Sequence, residues 1–167
     1  MRYCAVETEL GFVGLASHDG QLSMSTLPRR SREEALEVLH IGTSASSEED
    51  IRALGRLPEL MKAYFSGRRV DLTGIDIDTS GCSGFARAVL KTVQNIPYGH
   101  VMTYGEVARA SGFDRAARAV GRVMALNPVP IVIPCHRVIA ADAGLGGFAF
   151  GLDWKRKLLE LEGIVLS

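Results

Sequence analysis

In the stretch IVIPCHRVIA, residues 131–140, Cys135 and His136 are adjacent, an apolar run ending in Pro134 precedes them, and Arg137 follows. A thiol acts as a nucleophile only as thiolate, and forming thiolate at neutral pH needs a base or a positive charge close by. Both residue types stand beside Cys135, so the stretch is a candidate for a reactive thiol with a depressed pKa. Adjacent side chains of an extended strand point to opposite sides. His136 would therefore act through a bridging water, or the chain would bend there. Other uses of the thiol stay open on these residues alone. The apolar run suits a buried structural cysteine. A metal site is disfavoured, because Cys4, Cys82 and Cys135 with His18, His40, His100 and His136 show neither CxxC nor HxxxH spacing. A papain-like or caspase-like hydrolase lacks its local signature. The glycine-rich segment at 144–151 has Ala149 at the third glycine position of GxGxxG, so a phosphate cradle is not expected.

A second cluster lies at 114–126, DRAARAVGRVMAL. Arg115, Arg118 and Arg122 are spaced three and four apart and share one face of a helix, with Val120, Val123 and Met124 broadly opposite. Ala116, Ala117 and Ala119 are small and let a partner approach closely. Asp114 is placed to cap this helix. The preceding TYGEVARASG starts another helix, with Thr103 and Glu106 at capping-box spacing. Two helices joined by the short turn SGFD are the outline of a helix-turn-helix. The alternative is an ordinary amphipathic helix with a solvated basic face. Charge is uneven along the chain: residues 1–82 hold 9 Lys/Arg against 13 Asp/Glu, and residues 83–167 hold 10 against 6. A polyanion-binding face in the second half fits that balance.

These groups need a scaffold. With 167 residues and 47% hydrophobic content, the chain suits one compact domain or two small ones. Residues 3–27 read as short strands broken by Gly11, Gly14 and HDG. Ser31 and Glu34 predict a capped helix over SREEALEVLH. Ser46 and Glu49 predict another over SSEEDIRAL, and LPELMKAYF a third, with Pro58 near its start and Gly67 at its end. VDLTGIDIDTS reads as an edge strand or linker, and TSGCSG as a domain boundary. Beyond it, SGFARAVLKTVQNIPYG is an amphipathic helix with Phe85, Val89, Leu90 and Val93 on its apolar face. PVPIVIPCHRVIA reads as extended, and DWKRKLLELEG as a final helix capped by Asp153. The expected fold class is α/β: a small N-terminal α/β domain with a short sheet (1–80), and a mainly helical C-terminal domain containing the helix-turn-helix (81–167). No apolar run reaches the ~18 residues of a membrane span. Glutamates near the start and an odd number of cysteines point to a cytoplasmic protein.

The residues around Cys135 also carry a family pattern. IPCHRV resembles the active-site signature of the O6-alkylguanine-DNA alkyltransferases. PYGHVMTYGEVA, AARAVG, NPVPIVIPCHRV, the glycine-rich loop and KLLELEG follow that family's order over about residues 83–163. The resemblance implies a monomer that binds double-stranded DNA through the minor groove with its helix-turn-helix. It would flip an O6-alkylguanine out of the stack and transfer the alkyl group irreversibly to Cys135, once, without a cofactor; O4-alkylthymine is a related substrate. It also implies roles. His136 takes the Cys135 proton through water, Glu162 orients that histidine, and Tyr104 donates to guanine N3. Asn127 braces the active-site turn. Arg118 fills the gap left by the flipped base, with Arg115, Arg122, Ala116, Ala117 and Thr103 at the DNA. Val138, Phe148, Ala149, Phe150 and Lys155 form the pocket.

Some positions depart from the family pattern. Where many members have a tyrosine followed by serine or arginine, this chain has Phe148, Ala149 and Phe150, which implies a more apolar and tighter wall. Cys4 has no cysteine partner nearby, so the zinc site of some relatives is not expected, and Cys4 and Cys82 are read as structural. Two rivals remain at this stage: a lesion-sensing DNA-binding module without transfer, and a cysteine hydrolase.

Overall fold

The computed structural model describes residues 1–40 and 46–166. Contacts divide the chain into two compact units, Met1–Asp78 with Pro128–Pro130, and Thr79–Asn127 with Ile131–Ser167.

The first unit is built on a four-stranded sheet of order β3-β2-β1-β4. β1 (Arg2–Thr8), β2 (Gly11–His18) and β3 (Gln21–Ser25) form an antiparallel meander, and β4 (Glu48–Glu49) adds in parallel to β1. The HDG turn joins β2 to β3 with Asp19 and Gly20 both at positive φ (49° and 81°), as a tight hairpin requires. Helices α1 (Arg32–Val38) and α2 (Leu57–Phe65) pack on the sheet. Gly14 lies within β2 and does not break it; a Cβ there would sit 2.7 Å from the Ala35 carbonyl oxygen. The glycine therefore lets α1 press onto the sheet. Ser31 caps α1 as its spacing predicts, accepting from the Glu34 N–H at 3.1 Å. The helix expected over 46–54 does not form. Glu48 and Glu49 extend along β1 and pair with Arg2 and Arg32, and only a 3-10 turn, Ile51–Leu54, follows, capped by Asp50. Sheet pairing and two ion pairs outweigh the local capping signal. Of the edge-strand reading of 70–80, an isolated bridge between Ile77 and Leu22 remains. Pro128 and Pro130 belong to this unit because their carbonyls accept from Ser25, one from its N–H at 3.0 Å and one from its hydroxyl at 2.8 Å.

The second unit packs α3 (Gly84–Gln94), α4 (Tyr104–Ala110) and α5 (Ala117–Ala125) against one another. Val89, Val93, Val107, Val120 and Met124 are buried among them. Phe85 meets Phe113 edge-on, with ring centroids 4.9 Å apart. The predicted capping box of α4 is present in both directions: Thr103 Oγ1 accepts from Glu106 N–H, and Glu106 accepts from Thr103 N–H at 2.7 Å. Asp114 does not cap α5. The helix begins at Ala117 without a side-chain cap, and Arg115 sits in the turn at φ 61°. Arg115 is thus off the helix, and only Arg118 and Arg122 share its exposed face. Likewise Asp153 lies inside the first turn of α6 (Leu152–Leu161), whose N-cap is Gly151. Among the described residues, no helix is long and apolar enough to cross a membrane.

Candidate active site

The stretch expected to be extended bends at the thiol. Cys135–Arg137 form a 3-10 turn, and only Val138–Ile139 continue as a strand, β6. β6 pairs in parallel with β5 (Met102–Thr103), Met102 opposite Val138 and Thr103 opposite Ile139. This two-residue ladder ties the start of α4, where Tyr104 stands, to the end of the turn that carries Cys135. Just upstream, Ile131 holds φ at 75°, a rare and strained conformation for a β-branched residue.

Cys135 and His136 are both buried, at 3% and 0% exposure. His136 Nε2 donates to Glu162 Oε1 at 2.7 Å. Glu162 closes the C-terminal end of α6 and is itself heavily bonded. Arg137 Nε reaches its two oxygens at 3.2 and 2.9 Å, Arg137 Nη2 reaches Oε1 at 2.9 Å, and the Gly99 N–H reaches Oε2 at 3.1 Å. Burial by itself would raise this carboxyl, but the hydrogen bond from His136 and the bonds and charge of the Arg137 fork hold it down at about 2. It is a fixed anion at every physiological pH. Burial lowers the pKa of His136 despite the opposing pull of Glu162, with the charges of Arg137 and Lys155 adding to the lowering. With Nε2 committed to the carboxylate, Nδ1 is the nitrogen that can accept a proton.

The thiol does not have the depressed pKa expected from its neighbours. Burial pushes Cys135 up to about 11; a hydrogen bond from the Asn127 side chain, the charge of Lys155 and the N–H groups of Cys135 and His136 offset burial only in part. Desolvation penalises a thiolate more than these donors help it, so the resting group is a neutral thiol. Asn127, at the end of α5, also donates from Nδ2 to the Ile133 carbonyl at 2.9 Å and so holds the segment entering the turn.

Lys155 is fully buried. Its Nζ donates to Val138 O at 2.6 Å and Gly147 O at 2.9 Å, and lies 5.9 Å from the ring centres of Tyr104 and Phe148. Burial lowers its pKa to about 8. The Tyr104 hydroxyl donates to the same Gly147 carbonyl at 3.3 Å. Two pocket walls, β6 and the glycine-rich loop, are thereby joined through one ammonium. Gly146, at φ 68°, passes so close to Tyr104 that a Cβ would lie 2.9 Å from its ring. Phe148 and Phe150 meet edge-on with centroids 5.3 Å apart, while Ala149 between them is exposed.

The structure therefore gathers Cys135, His136, Glu162, Asn127, Tyr104, Val138 and Lys155 around one turn. Arg118, Arg122 and Arg115 stand exposed, with Ala116 and Ala117 half-buried at the start of α5 and Thr103 at the start of α4. Reasoning from sequence read Arg137 only as a charge beside the thiol and missed that, buried at 6% exposure, it pairs with Glu162; it also missed the backbone groups of Ile96, Gly99 and Gly147. No local signal links Arg137 to a carboxylate 25 residues away. The signal for the backbone groups was the helix stop IPYG, whose turn presents the Ile96 carbonyl and the Gly99 N–H to the cluster.

Residues 84–164 match the family model described as "6-O-methylguanine DNA methyltransferase, DNA binding domain". The methylated-DNA–protein-cysteine methyltransferase of Methanopyrus kandleri is 46% identical over 132 residues, 79% of this chain and 98% of that protein. The protein of the same name from Mycolicibacterium paratuberculosis is 38% identical, over 97% of this chain and 92% of its own. The crystal structure of Mycobacterium tuberculosis OGT in complex with DNA superposes with a TM-score of 0.76 at 32% identity, covering 97% of this chain and 92% of that one.

Proposed function

This chain belongs to the 6-O-methylguanine DNA methyltransferases, and we infer that it repairs DNA by moving the alkyl group of O6-alkylguanine onto its own Cys135. The observation that carries the assignment of the acceptor is the turn at 135–137. It holds a buried thiol next to a histidine whose far nitrogen is fixed by a buried carboxylate, the arrangement of a nucleophile, a base and an orienting group.

The neutral thiol defines the mechanism. At rest Cys135 is a buried thiol that becomes a nucleophile only once its proton is taken. When an alkylated base fills the pocket, His136 takes the Cys135 proton, through water, and Glu162 stabilises the imidazolium. The sulfur attacks the alkyl carbon, an S–C bond forms, and the C–O6 bond breaks with its electron pair left on guanine. The Tyr104 hydroxyl, facing the pocket wall at Gly147, donates to the departing base. The guanine then regains the proton the thiol gave up. Lys155 contributes positive charge that favours thiolate, and its two carbonyl bonds keep the pocket walls in place. A thioether is stable, so each molecule acts once.

Chemistry on a base inside a duplex requires the base to be flipped out. The helix-turn-helix of α4 and α5 is the element for this. Ala116 and Ala117 permit close approach at the head of α5, Arg118 fills the vacated stack, and Arg122 and Arg115 meet phosphates, with Thr103 at the head of α4. Residues 81–167 would carry both binding and transfer, with residues 1–80 as support. Every group named lies in one chain, so a monomer suffices, acting in the cytoplasm where DNA is accessible. Phe148, Ala149 and Phe150 give a pocket wall that favours apolar alkyl groups.

The test is intact mass after incubation with a duplex containing O6-methylguanine. The expected result is a gain of one CH2 located on the peptide with Cys135, and none in Cys135→Ser. DNA binding without the gain would instead indicate a lesion sensor, and ester turnover without DNA a hydrolase.

A further inference from the structure

The transfer chemistry as described does not call on Arg137, yet this residue is buried and fully committed. Its Nε and Nη2 grip the Glu162 carboxylate, its Nη1 donates to the Ile96 carbonyl at 2.6 Å, and its guanidinium lies 5.8 Å from the centre of the Tyr98 ring. Tyr98 in turn donates from its hydroxyl to the Leu161 carbonyl at 3.1 Å, next to Glu162. The arginine is therefore held in place from the α3 end and the α6 end together. Glu162 Oε1 is shared between His136 Nε2 and the guanidinium.

For a buried histidine paired with a carboxylate, burial disfavours the imidazolium and the anion favours it, so the ring's protonation depends on how much of the carboxylate's charge is left for it. An imidazolium already carries the proton it would need to accept, so it cannot act as base toward Cys135. A second cation on the same carboxylate changes this balance. Guanidinium is permanently charged. With Arg137 neutralising Glu162, adding a proton to His136 would put net positive charge into a buried cluster.

We propose that Arg137 is a positioning residue that keeps His136 neutral in the resting protein, so that its Nδ1 takes the Cys135 proton only when the reaction calls for it. The working unit is then four side chains, Cys135, His136, Glu162 and Arg137. Glu162 orients the ring, and Arg137 limits how strongly Glu162 attracts a proton to it. The charged groups acting on His136 are Glu162 and Lys155 from α6 and Arg137 from its own turn; Lys155 works in the same sense as Arg137. The proton accounting is that of the transfer itself: the S–H bond breaks, an N–H bond forms on His136, and the proton leaves with guanine. The inference rests on the reading of Cys135 as alkyl acceptor.

Two measurements test it. In the wild-type protein, the 15N shifts of His136 should show a neutral ring protonated at Nε2 at pH 7; an imidazolium at pH 7 overturns the proposal. Next, the rate of Cys135 alkylation by free O6-benzylguanine is followed against pH for Arg137→Met and Arg137→Lys. In Arg137→Met the acid limb should move up by at least about one pH unit, an approximately tenfold loss at a pH on that limb that is recovered at higher pH. Arg137→Lys, which keeps the charge, should retain most of the wild-type limb. An equal loss at every pH in Arg137→Met, or a limb displaced as far in Arg137→Lys, would overturn the proposal and leave Arg137 a purely structural role. If Arg137→Met does not fold, Arg137→Gln takes its place, with the same displaced acid limb expected and an undisplaced limb overturning the proposal. If wild-type protein takes up no alkyl group from free O6-benzylguanine or from an O6-methylguanine duplex, the assignment of Cys135 has failed, and the His136 15N titration compared between wild type and Arg137→Met still reports separately on Arg137.

Discussion

Glu162→Gln tests the electrostatics of the site most directly. Gln keeps the shape and one carbonyl acceptor but removes the charge that Arg137 and His136 share. Holding this carboxyl at about 2 rather than the ordinary 4.5 is worth about 3 kcal/mol of folding free energy at neutral pH, at about 1.36 kcal/mol per pKa unit. Leaving Arg137 buried without its anion places the expected loss at about 3–5 kcal/mol. The sign follows from proton binding. Between pH 4.5 and 2 the unfolded carboxyl is protonated and the folded one is not, so this stabilisation is complete above 4.5 and disappears as pH falls toward 2. Gln does not titrate. The stability difference between wild type and variant should therefore be constant from pH 7 to about 5 and shrink by about 3 kcal/mol by about pH 2; carboxyls common to both proteins cancel. Urea unfolding followed by the fluorescence of Trp154 is the assay. Trp154 is the sole tryptophan and sits on α6, the helix that ends at Glu162, so the signal reports the unit that holds the site. A difference that stays unchanged down to pH 2.5 would refute the ionised, Arg137-bound carboxylate.

Other consequences can be measured independently. Arg118→Ala should weaken repair of O6-methylguanine in duplex DNA by on the order of 1–3 kcal/mol while leaving reaction with free O6-benzylguanine near wild type; an equal loss on both substrates removes Arg118 from base flipping. Gly146→Ala forces a side chain into φ 68° and a Cβ to 2.9 Å from the Tyr104 ring, so transfer should slow and stability fall by about 1–3 kcal/mol, read by alkylation kinetics and thermal melting. In Lys155→Met the thiolate loses a supporting charge, so alkylation at pH 7 should slow. The change in slope expected near pH 8, where Lys155 loses its proton in wild type, should vanish from the variant's pH–rate profile. Thr103→Ala removes the Oγ1 acceptor of the Glu106 N–H from the α4 capping box while keeping the backbone N–H that donates to Glu106, and should cost about 1 kcal/mol by chemical denaturation.

Much of the architecture was legible because it is local. Ser31, Thr103 and the spacing of Val89, Leu90 and Val93 act within one or two turns, and those helices form where their signals stand. Sequence also carried the candidate thiol, its neighbouring base and the two-helix outline, since Cys135–His136 is a dipeptide and the turn SGFD is contiguous. The errors came where distant partners outweighed local preference. Glu48 and Glu49 read as a helix start, but β1 and two arginines drew them into a strand. Arg115 fits the helical spacing, yet the turn takes it off the helix at φ 61°.

The chemistry of the site was a matter for tertiary structure. Composition and order place a thiol beside a cation and suggest an easily ionised group. Burial reverses that, because the cost of desolvating a thiolate depends on everything packed around it and exceeds the help of Asn127 and Lys155. Glu162 and Arg137 are 25 residues apart, and Gly99 is 63 from the carboxylate it binds; no spacing rule links them. The residue types were written in the sequence. Which of them is ionised, and which nitrogen of His136 takes the proton, is decided only when the fold removes them from water and brings their partners together.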